Sequence, residues 1–362
     1  MKNKAIKSLG FLTVASLIST SALAQVTVSG YVEAGFLTGN NVGGARASSS
    51  GLGGESVVTI TGKGNLTNGW TYMAYQNLDS DEAGNGRNTA NNSPMTTRAI
   101  ELSPSKDYKL FYTYDGVYGG EIARTAVPTV TERVGDMTGL AGISEFIDVT
   151  SGGHAFGFEV LNAGPAGRLS VAYNPNLDAN VQSSSDRGQA ATLQTVGYQA
   201  ASGYSIGYSV TPGPVKIALG LTKIDQQHSA TAQDATSKTL GVTYTGSGYA
   251  IGAQRTKNDG TKAALLTTAN IEDTVDTVAA SFAASKEVTL GLSYSEMERT
   301  GTAIVKGPDL KVIQAVIAYN LGPVVASIAY EDAKNHPAVG TNQATTSGVD
   351  AQTAKIKVKA NF

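Results

Sequence analysis

The chain has 362 residues, of which only 15% are charged, and it contains 42 glycines and no cysteine. Its formal net charge of −2 gives no reason to expect nucleic acid or an anionic membrane surface as a partner. Without cysteine, disulfides and cysteine-based metal sites are excluded.

The first 24 residues have the pattern of a secretory signal peptide. Three lysines within the first seven residues form a basic region, and an apolar stretch follows from Leu9 to Leu17. This stretch is shorter than the roughly 20 residues of a membrane-spanning helix, which disfavours a retained anchor. Ala22-Leu23-Ala24 is a small-x-small cleavage site, so we predict export and a mature chain that begins at Gln25.

The remainder of the chain alternates between apolar and polar residues with period two, which predicts β-strands. In the last segment Ile356, Val358 and Phe362 share one face, and lysines occupy the other. Similar alternation begins at Leu169, Tyr204, Leu240, Val288 and Val324. Alternation of this kind places one face of each strand against lipid and the other in a polar lumen, as in a transmembrane β-barrel.

Short turns alternate with long polar loops along the chain, which is typical of outer-membrane barrels. The predicted turns are residues 66–69, 117–120, 163–167, 211–214, 245–248, 283–286 and 320–323. The predicted loops are residues 38–53, 80–97, 129–152, 175–190, 226–237, 258–273, 298–308 and 333–350. These connections predict an all-β, antiparallel barrel of about 16 strands. Residues 98–116 count as one long strand interrupted by Pro104, and splitting that strand would give 18.

The two ends of the mature chain resemble the Gram-negative general porins. The resemblance rests on the opening segment from Gln25 to Glu33 and on the closing segment from Ala354 to Phe362, whose terminal phenylalanine is similar to the family's barrel-assembly signal. It implies a homotrimer in the outer membrane, among lipid and lipopolysaccharide, that passes small hydrophilic solutes and ions without a cofactor. It also implies that residues 80–97 latch onto a neighbouring subunit, and that the third long loop folds into the lumen.

The third long loop, residues 129–152, is therefore the candidate constriction loop of the predicted barrel domain, residues 25–362. By the resemblance, its acidic residues would face basic residues of the pore wall. Its charged side chains are Glu132, Arg133, Asp136, Glu145 and Asp148. A solvated surface loop or a contact between subunits is the alternative for this segment.

The opposite wall of the lumen follows from parity, because the polar residues of each strand must face inward if the apolar ones face lipid. The inward charged residues predicted in this way are Lys355, Lys357, Lys359, Lys63, Lys109, Arg168, Lys216, Glu33 and Glu101. Glu33 and Lys355 lie at similar distances from the two termini, which predicts that they are neighbours where the first and last strands pair. These residues would form either a charge ladder that biases ion flow or ordinary, weak ion pairs in a wet lumen.

No catalytic, cofactor-binding or metal-binding residue is predicted. Ser205 fits a G-x-S-x-G pattern but lies within an alternating strand rather than at a strand-to-helix turn. The three histidines have no metal-ligand spacing. The expected function is a general porin. The alternatives are a substrate-selective channel for sugars or anions, a structural barrel, and a barrel hydrolase that uses His154.

Overall fold

The computed structural model describes residues 25–40, 48–82, 95–124, 126–135, 137, 149–150, 154–163, 167–177, 201–225, 235–259, 271–301, 309–336 and 349–362. The predicted signal peptide lies outside these residues. Within them, no helix has the length and apolar character needed to span a bilayer.

The described strands form one closed antiparallel barrel in which each strand pairs with its neighbours in the sequence and the first pairs with the last. The strands are β1 Gln25–Asn40, β2 Ser48–Asn65, β3 Thr71–Glu82, β4 Met95–Ser105, β5 Tyr108–Tyr114, β6 His154–Val160, β7 Arg168–Leu177, β8 Ala201–Val210, β9 Val215–Asp225, β10 Ala235–Gly246, β11 Tyr249–Asp259, β12 Ile271–Ala283, β13 Val288–Gly301, β14 Leu310–Leu321, β15 Val324–His336 and β16 Val349–Asn361. The predicted fold class and the count of 16 strands are confirmed.

The alternation of the sequence becomes the two faces of the barrel wall. In β16, Ile356 is 55% exposed on the outer face, whereas the neighbouring Lys357 is only 8% exposed on the inner face. The outer face exposes large apolar residues on most strands, as a lipid-facing wall requires. Tyr108, Tyr249 and Tyr319 are exposed near the short turns, where an aromatic girdle meets the membrane interface.

Residues 98–116 form a hairpin and not the single long strand that the sequence predicted. The chain turns between β4 and β5, where the Asp107 N–H donates to Oγ of Ser105 at 3.2 Å. Pro104 has no N–H to contribute to the ladder, and the register between the two strands shifts between Leu102 and Ser105.

The predicted turn at residues 117–120 is also wrong. These residues begin the long connection from β5 to β6, and Gly119–Ala123 forms a 3-10 helix. The connection therefore spans residues 115–153 and is longer than the predicted loop of residues 129–152. The count of 16 strands is still correct because the two errors cancel. The hairpin adds one strand, and the strand expected just after residue 120 is absent between β5 and β6 among the described residues.

The barrel closes through the C-terminal residue. Gly30 and Phe362 exchange two backbone hydrogen bonds of 3.0 Å, and the phenylalanine ring lies beside the glycine. A methyl group at Gly30 would overlap the carbonyl oxygen of Val57 on β2 and would lie 3.0 Å from the Phe362 ring. The first strand therefore requires glycine where the seam between β1 and β16 is joined.

We predict that Gly30→Ala lowers the free energy of unfolding by about 1–3 kcal/mol, because the added methyl group overlaps backbone atoms that cannot move without opening the seam. Urea unfolding of the refolded barrel in detergent measures the change. Gly62→Ala on β2 is the matched control, since a methyl group there meets nothing within 4 Å. Equal stability of the two variants would contradict this account of the seam.

Candidate channel constriction

The inner face of β14 is covered by protein although it faces the inside of the barrel. Ile313 and Ile317 are exposed on the outer wall, while Gln314, which points inward, is only 1% exposed. An empty lumen of sixteen strands would leave such a side chain in water. A second part of the chain must therefore lie against this wall.

That part is the connection between β5 and β6, whose described residues from 118 to 135 are called the inward segment below. Its first residue, Tyr118, is buried and stacks on Phe111 of β5, with the ring centroids 4.1 Å apart. The Tyr118 hydroxyl donates to Oε1 of Glu101 on β4 at 2.6 Å. The segment thus leaves β5 and turns at once into the interior.

Two wall serines then receive the backbone of the segment. The Gly119 N–H donates to Oγ of Ser170 on β7 at 2.7 Å, and the Gly120 N–H donates to Oγ of Ser205 on β8 at 3.1 Å. Ser205 is the serine of the G-x-S-x-G pattern, and it lies in the middle of a regular strand. Both hydroxyls satisfy N–H groups that would otherwise be buried without a partner.

Gln254 of β11 binds the middle of the segment through both the oxygen and the nitrogen of its side-chain amide. Its Oε1 accepts from the Ala126 N–H at 3.0 Å, and its Nε2 donates to the Arg124 carbonyl at 2.9 Å. The hydroxyl of Thr243 on β10 donates to the Ala126 carbonyl. These bonds replace the water that the backbone would bind in an open lumen.

Glycines of the wall provide the space in which the segment lies. Four inward-facing glycines, called the glycine track below, contact it in succession: Gly207, Gly241, Gly252 and Gly291. A methyl group at Gly241 would overlap Cβ of Ala126, and one at Gly252 would lie 2.8 Å from Cδ of Pro128. A wall with ordinary side chains at these positions could not accept the segment at this distance.

The far end of the segment carries an acidic residue onto the basic strand β16. Glu132 lies 3.1 Å from Nζ of Lys355 and 2.6 Å from Nζ of Lys357, and Lys357 also lies 3.5 Å from Glu33 of β1. We call these four residues the charge cluster. Glu132 and Lys357 are 9% and 8% exposed, so removing either one would leave the other, a buried charge, with a single remaining partner.

Two further wall residues hold the segment beside the charge cluster. The Gly135 N–H donates to Oε2 of Glu331 at 2.8 Å, and Nε2 of Gln314 donates to the Arg133 carbonyl at 2.8 Å. Gln314 also donates to Glu331 at 3.0 Å. The segment therefore touches the wall from β7 to β11 and again from β13 to β16, and narrows the interior from that side.

The predicted wall charges on β4 to β7 form a separate network. Nζ of Lys109 lies 3.1 Å from Glu101 and 3.3 Å from Glu159. Nε of Arg168 donates to Glu159 at 3.0 Å. The two cations therefore have carboxylate partners within the wall.

The remaining predicted residues are more dispersed. Lys63 is exposed near the short turn after β2, Lys216 is partly buried near the start of β9, and Nζ of Lys359 lies 3.2 Å above the Tyr31 ring. Three acidic residues of the predicted loop lie outside the described residues, as does most of the predicted latch: Asp136, Glu145, Asp148 and residues 83–94.

The predicted contact between Glu33 and Lys355 is wrong. In the register of the seam Glu33 lies opposite Lys359, and its ion pair is with Lys357. The prediction assumed that the two chain ends are flush, but residues 25–29 extend beyond Phe362, which shifts the pairing.

Sequence reasoning missed the residues that seat the segment, above all Tyr118, Gln254 and the glycine track. The parity rule could have located the glycines, because they occupy inward positions on four strands. Parity does not identify the residues that these glycines contact. For Gly207 and Gly241, the contacted residues of the inward segment lie more than 80 positions away in the sequence. Within the described residues, no group of three histidine, aspartate or glutamate side chains is arranged to hold a metal ion.

We predict that Glu132→Gln lowers the free energy of unfolding by about 1–3 kcal/mol, because it removes a carboxylate from a buried ion pair and leaves Lys357 with Glu33 alone. Urea unfolding in detergent again measures the effect. Glu296→Gln is the matched control, since Glu296 pairs with Lys311 at 3.0 Å on the exposed outer face of β13 and β14. The idea that the charge cluster stabilises the barrel fails if both variants unfold at the same urea concentration.

A family model described as Gram-negative porin matches residues 12–103, about a quarter of the chain. No curated protein sequence matches. An anion-selective porin from Comamonas acidovorans is similar in structure, with 16% identity, a TM-score of 0.64 and coverage of 94% of this chain and 100% of that one.

Two other solved barrels show the same fold. A loop-deletion mutant of OmpT, an outer membrane protein of Vibrio cholerae, has 10% identity and a TM-score of 0.63, with coverage of 94% of this chain and 99% of that one. A double mutant of Rh. blastica porin has 12% identity and a TM-score of 0.60, with coverage of 93% and 100%. The chain is thus similar to Gram-negative porins in residues 12–103, and its closed barrel of sixteen strands has the fold of the solved outer-membrane barrels.

Proposed function

We propose that this outer-membrane channel is a general porin, through which small hydrophilic solutes and ions diffuse passively past the inward segment. The observation that carries the proposal is a segment that narrows the lumen by lying along one side of it. The segment contacts β7 to β11 and β13 to β16. A barrel of 16 strands leaves room for an aqueous path beside such a segment.

The chemistry of the inner wall supports a water-filled path. Inward positions carry hydroxyl and amide groups on several strands, including Thr222, Thr256, Thr277 and Gln314, so the inner face is polar even where other residues cover it. The inward-facing cations are largely paired with carboxylates. Lys355 and Lys357 pair with Glu132 on one side of the barrel. On the other side, Lys109 pairs with Glu101, and Arg168 pairs with Glu159. Such a wall favours hydrated solutes over apolar ones.

A sugar-selective channel has less support. It would need a row of accessible aromatic rings along the lumen, and Phe111 is buried beneath Tyr118 at the start of the inward segment. Tyr31 is bonded to Glu55 at 2.7 Å and covered by the ammonium group of Lys359. These rings do not form a continuous stacking surface.

A hydrolase is also disfavoured. Ser205 accepts a hydrogen bond from the Gly120 N–H, which supports a role in seating the segment. His154 lies on the outer-facing side of β6, where its Nδ1 is 2.6 Å from the hydroxyl of Tyr112. Among the described residues its hydrogen-bond partner is this tyrosine and not a serine, and we propose that the protein has no catalytic activity.

A homotrimer is our proposal for the assembled state. The fold is shared with OmpT of Vibrio cholerae, one structure of which is described as a trimer form, at 9% identity and a TM-score of 0.62. The outer wall presents apolar side chains, as lipid or a second subunit would require. Partners of this wall would be outer-membrane lipid, lipopolysaccharide and two further copies of the chain.

Conductance tests the channel and the role of the segment together. We expect discrete conductance steps when the purified protein is added to a planar bilayer, and larger steps for Gly241→Val, whose side chain would push Ala126 off the wall. Gly53→Val is the control, because that glycine also lies on the barrel wall but has nothing within 4 Å of an added methyl group.

Absence of steps from folded wild-type protein would overturn the channel. Unchanged steps in folded Gly241→Val, with wild-type conductance present, would show that the segment does not set the pore size.

Ion selectivity tests the charge cluster. Glu132→Gln removes one negative charge beside Lys355 and Lys357, so we expect the zero-current potential in a KCl gradient to shift toward that of an anion-selective channel. Glu296→Gln, on the outer wall, should leave this potential unchanged. An identical potential for wild type and Glu132→Gln would place the cluster away from the ion path.

A further inference from the structure

A cavity of about 320 Å³ lies inside the barrel between the inward segment and the wall formed by β12 to β16. Residues 129–131 of the inward segment form one side of it. On the wall side it is bordered by Ser281, Thr289 and Asn320, each close to a short turn. The cavity therefore lies at the turn end of the barrel, and its volume suits a small organic or inorganic molecule.

The lining of the cavity is rich in hydrogen-bond donors, and the described residues that form it include no carboxylate. Five hydroxyl groups border it, from Thr129, Thr131, Ser281, Thr289 and Ser327. Oγ1 of Thr131 is buried and has no hydrogen-bond partner among the described residues. A buried hydroxyl without a partner is destabilising by itself, and Thr131 borders the cavity.

Two ammonium groups complete the lining. Lys357 is bonded to Glu132 at 2.6 Å and lies 3.5 Å from Glu33, so these two carboxylates are already engaged. Lys359 makes no ion pair with any described residue and instead lies over the ring of Tyr31. The ring is neutral, so Lys359 keeps its net positive charge beside the cavity.

We propose that this cavity is a binding site for small oxyanions, namely carboxylates or phosphate, on their way through the channel. Hydroxyl and ammonium donors suit anionic oxygens. A cation would find no carboxylate in the lining, and a neutral sugar would find no aromatic ring to stack on. The proposal rests on the channel function above, and adds the class of solute that the channel favours.

Titration of channel current with inorganic phosphate tests the site. In planar bilayers at constant ionic strength, we expect added phosphate to reduce the current through wild-type channels in a saturable manner. Lys359→Gln should raise the half-inhibiting phosphate concentration about tenfold, the effect of losing one charge-assisted hydrogen bond. Thr131→Val, which removes a hydroxyl without changing the shape of the side chain, should raise it by a smaller factor.

Lys286→Gln is the matched control, because Lys286 is an exposed lysine in the short turn between β12 and β13, outside the cavity. Phosphate inhibition that is the same in Lys359→Gln as in wild type would overturn the site, provided that both conduct. An equal rise in the half-inhibiting phosphate concentration in Lys286→Gln and Lys359→Gln would also overturn the site, since the overall positive charge at the channel mouth would then explain the effect. A wild-type protein without conductance would instead refute the channel itself.

Discussion

The bilayer leaves no water for the backbone N–H and C=O groups of a spanning strand, so every strand must find a partner on both sides. In this protein that requirement is met by closure, with β1 joined to β16 through the backbone of Gly30 and Phe362. Once the ladder is closed, each residue faces either lipid or the interior. The exposed apolar outer wall and the polar inner wall both follow from this one constraint.

Part of the interior of the closed barrel is filled by the inward segment, which packs against the inner wall. A chain segment enters the lumen and must satisfy its own backbone groups there, and serine, glutamine and glutamate side chains of the wall provide the partners. Glycines at inward positions give it room, and the charge cluster ties its far end to β16. Because these partners come from strands distant in the sequence, the segment and the barrel stabilise each other only in the closed state.

Much of the wall could be predicted from the sequence, because strand periodicity is a local property. The inward orientation of Lys355 and Lys357 followed from their neighbours Ile356 and Val358, and the structure places both lysines beside Glu132. Sequence reasoning misses the hairpin at Pro104, because a proline near a strand end also fits an interruption within one strand. The seating of Tyr118, and the true start of the inward segment, were missed with it.

By itself, the sequence determined the alternation and the class of fold. These depend on residue type and on the two-residue repeat of an extended chain. Only the tertiary structure decided the register of the seam, the pairing of Glu33 with Lys357, and the path of the segment along the glycine track. Register and path depend on how far each strand slides past its neighbour when the barrel closes, and that stagger is a property of the whole ring, not of any single strand.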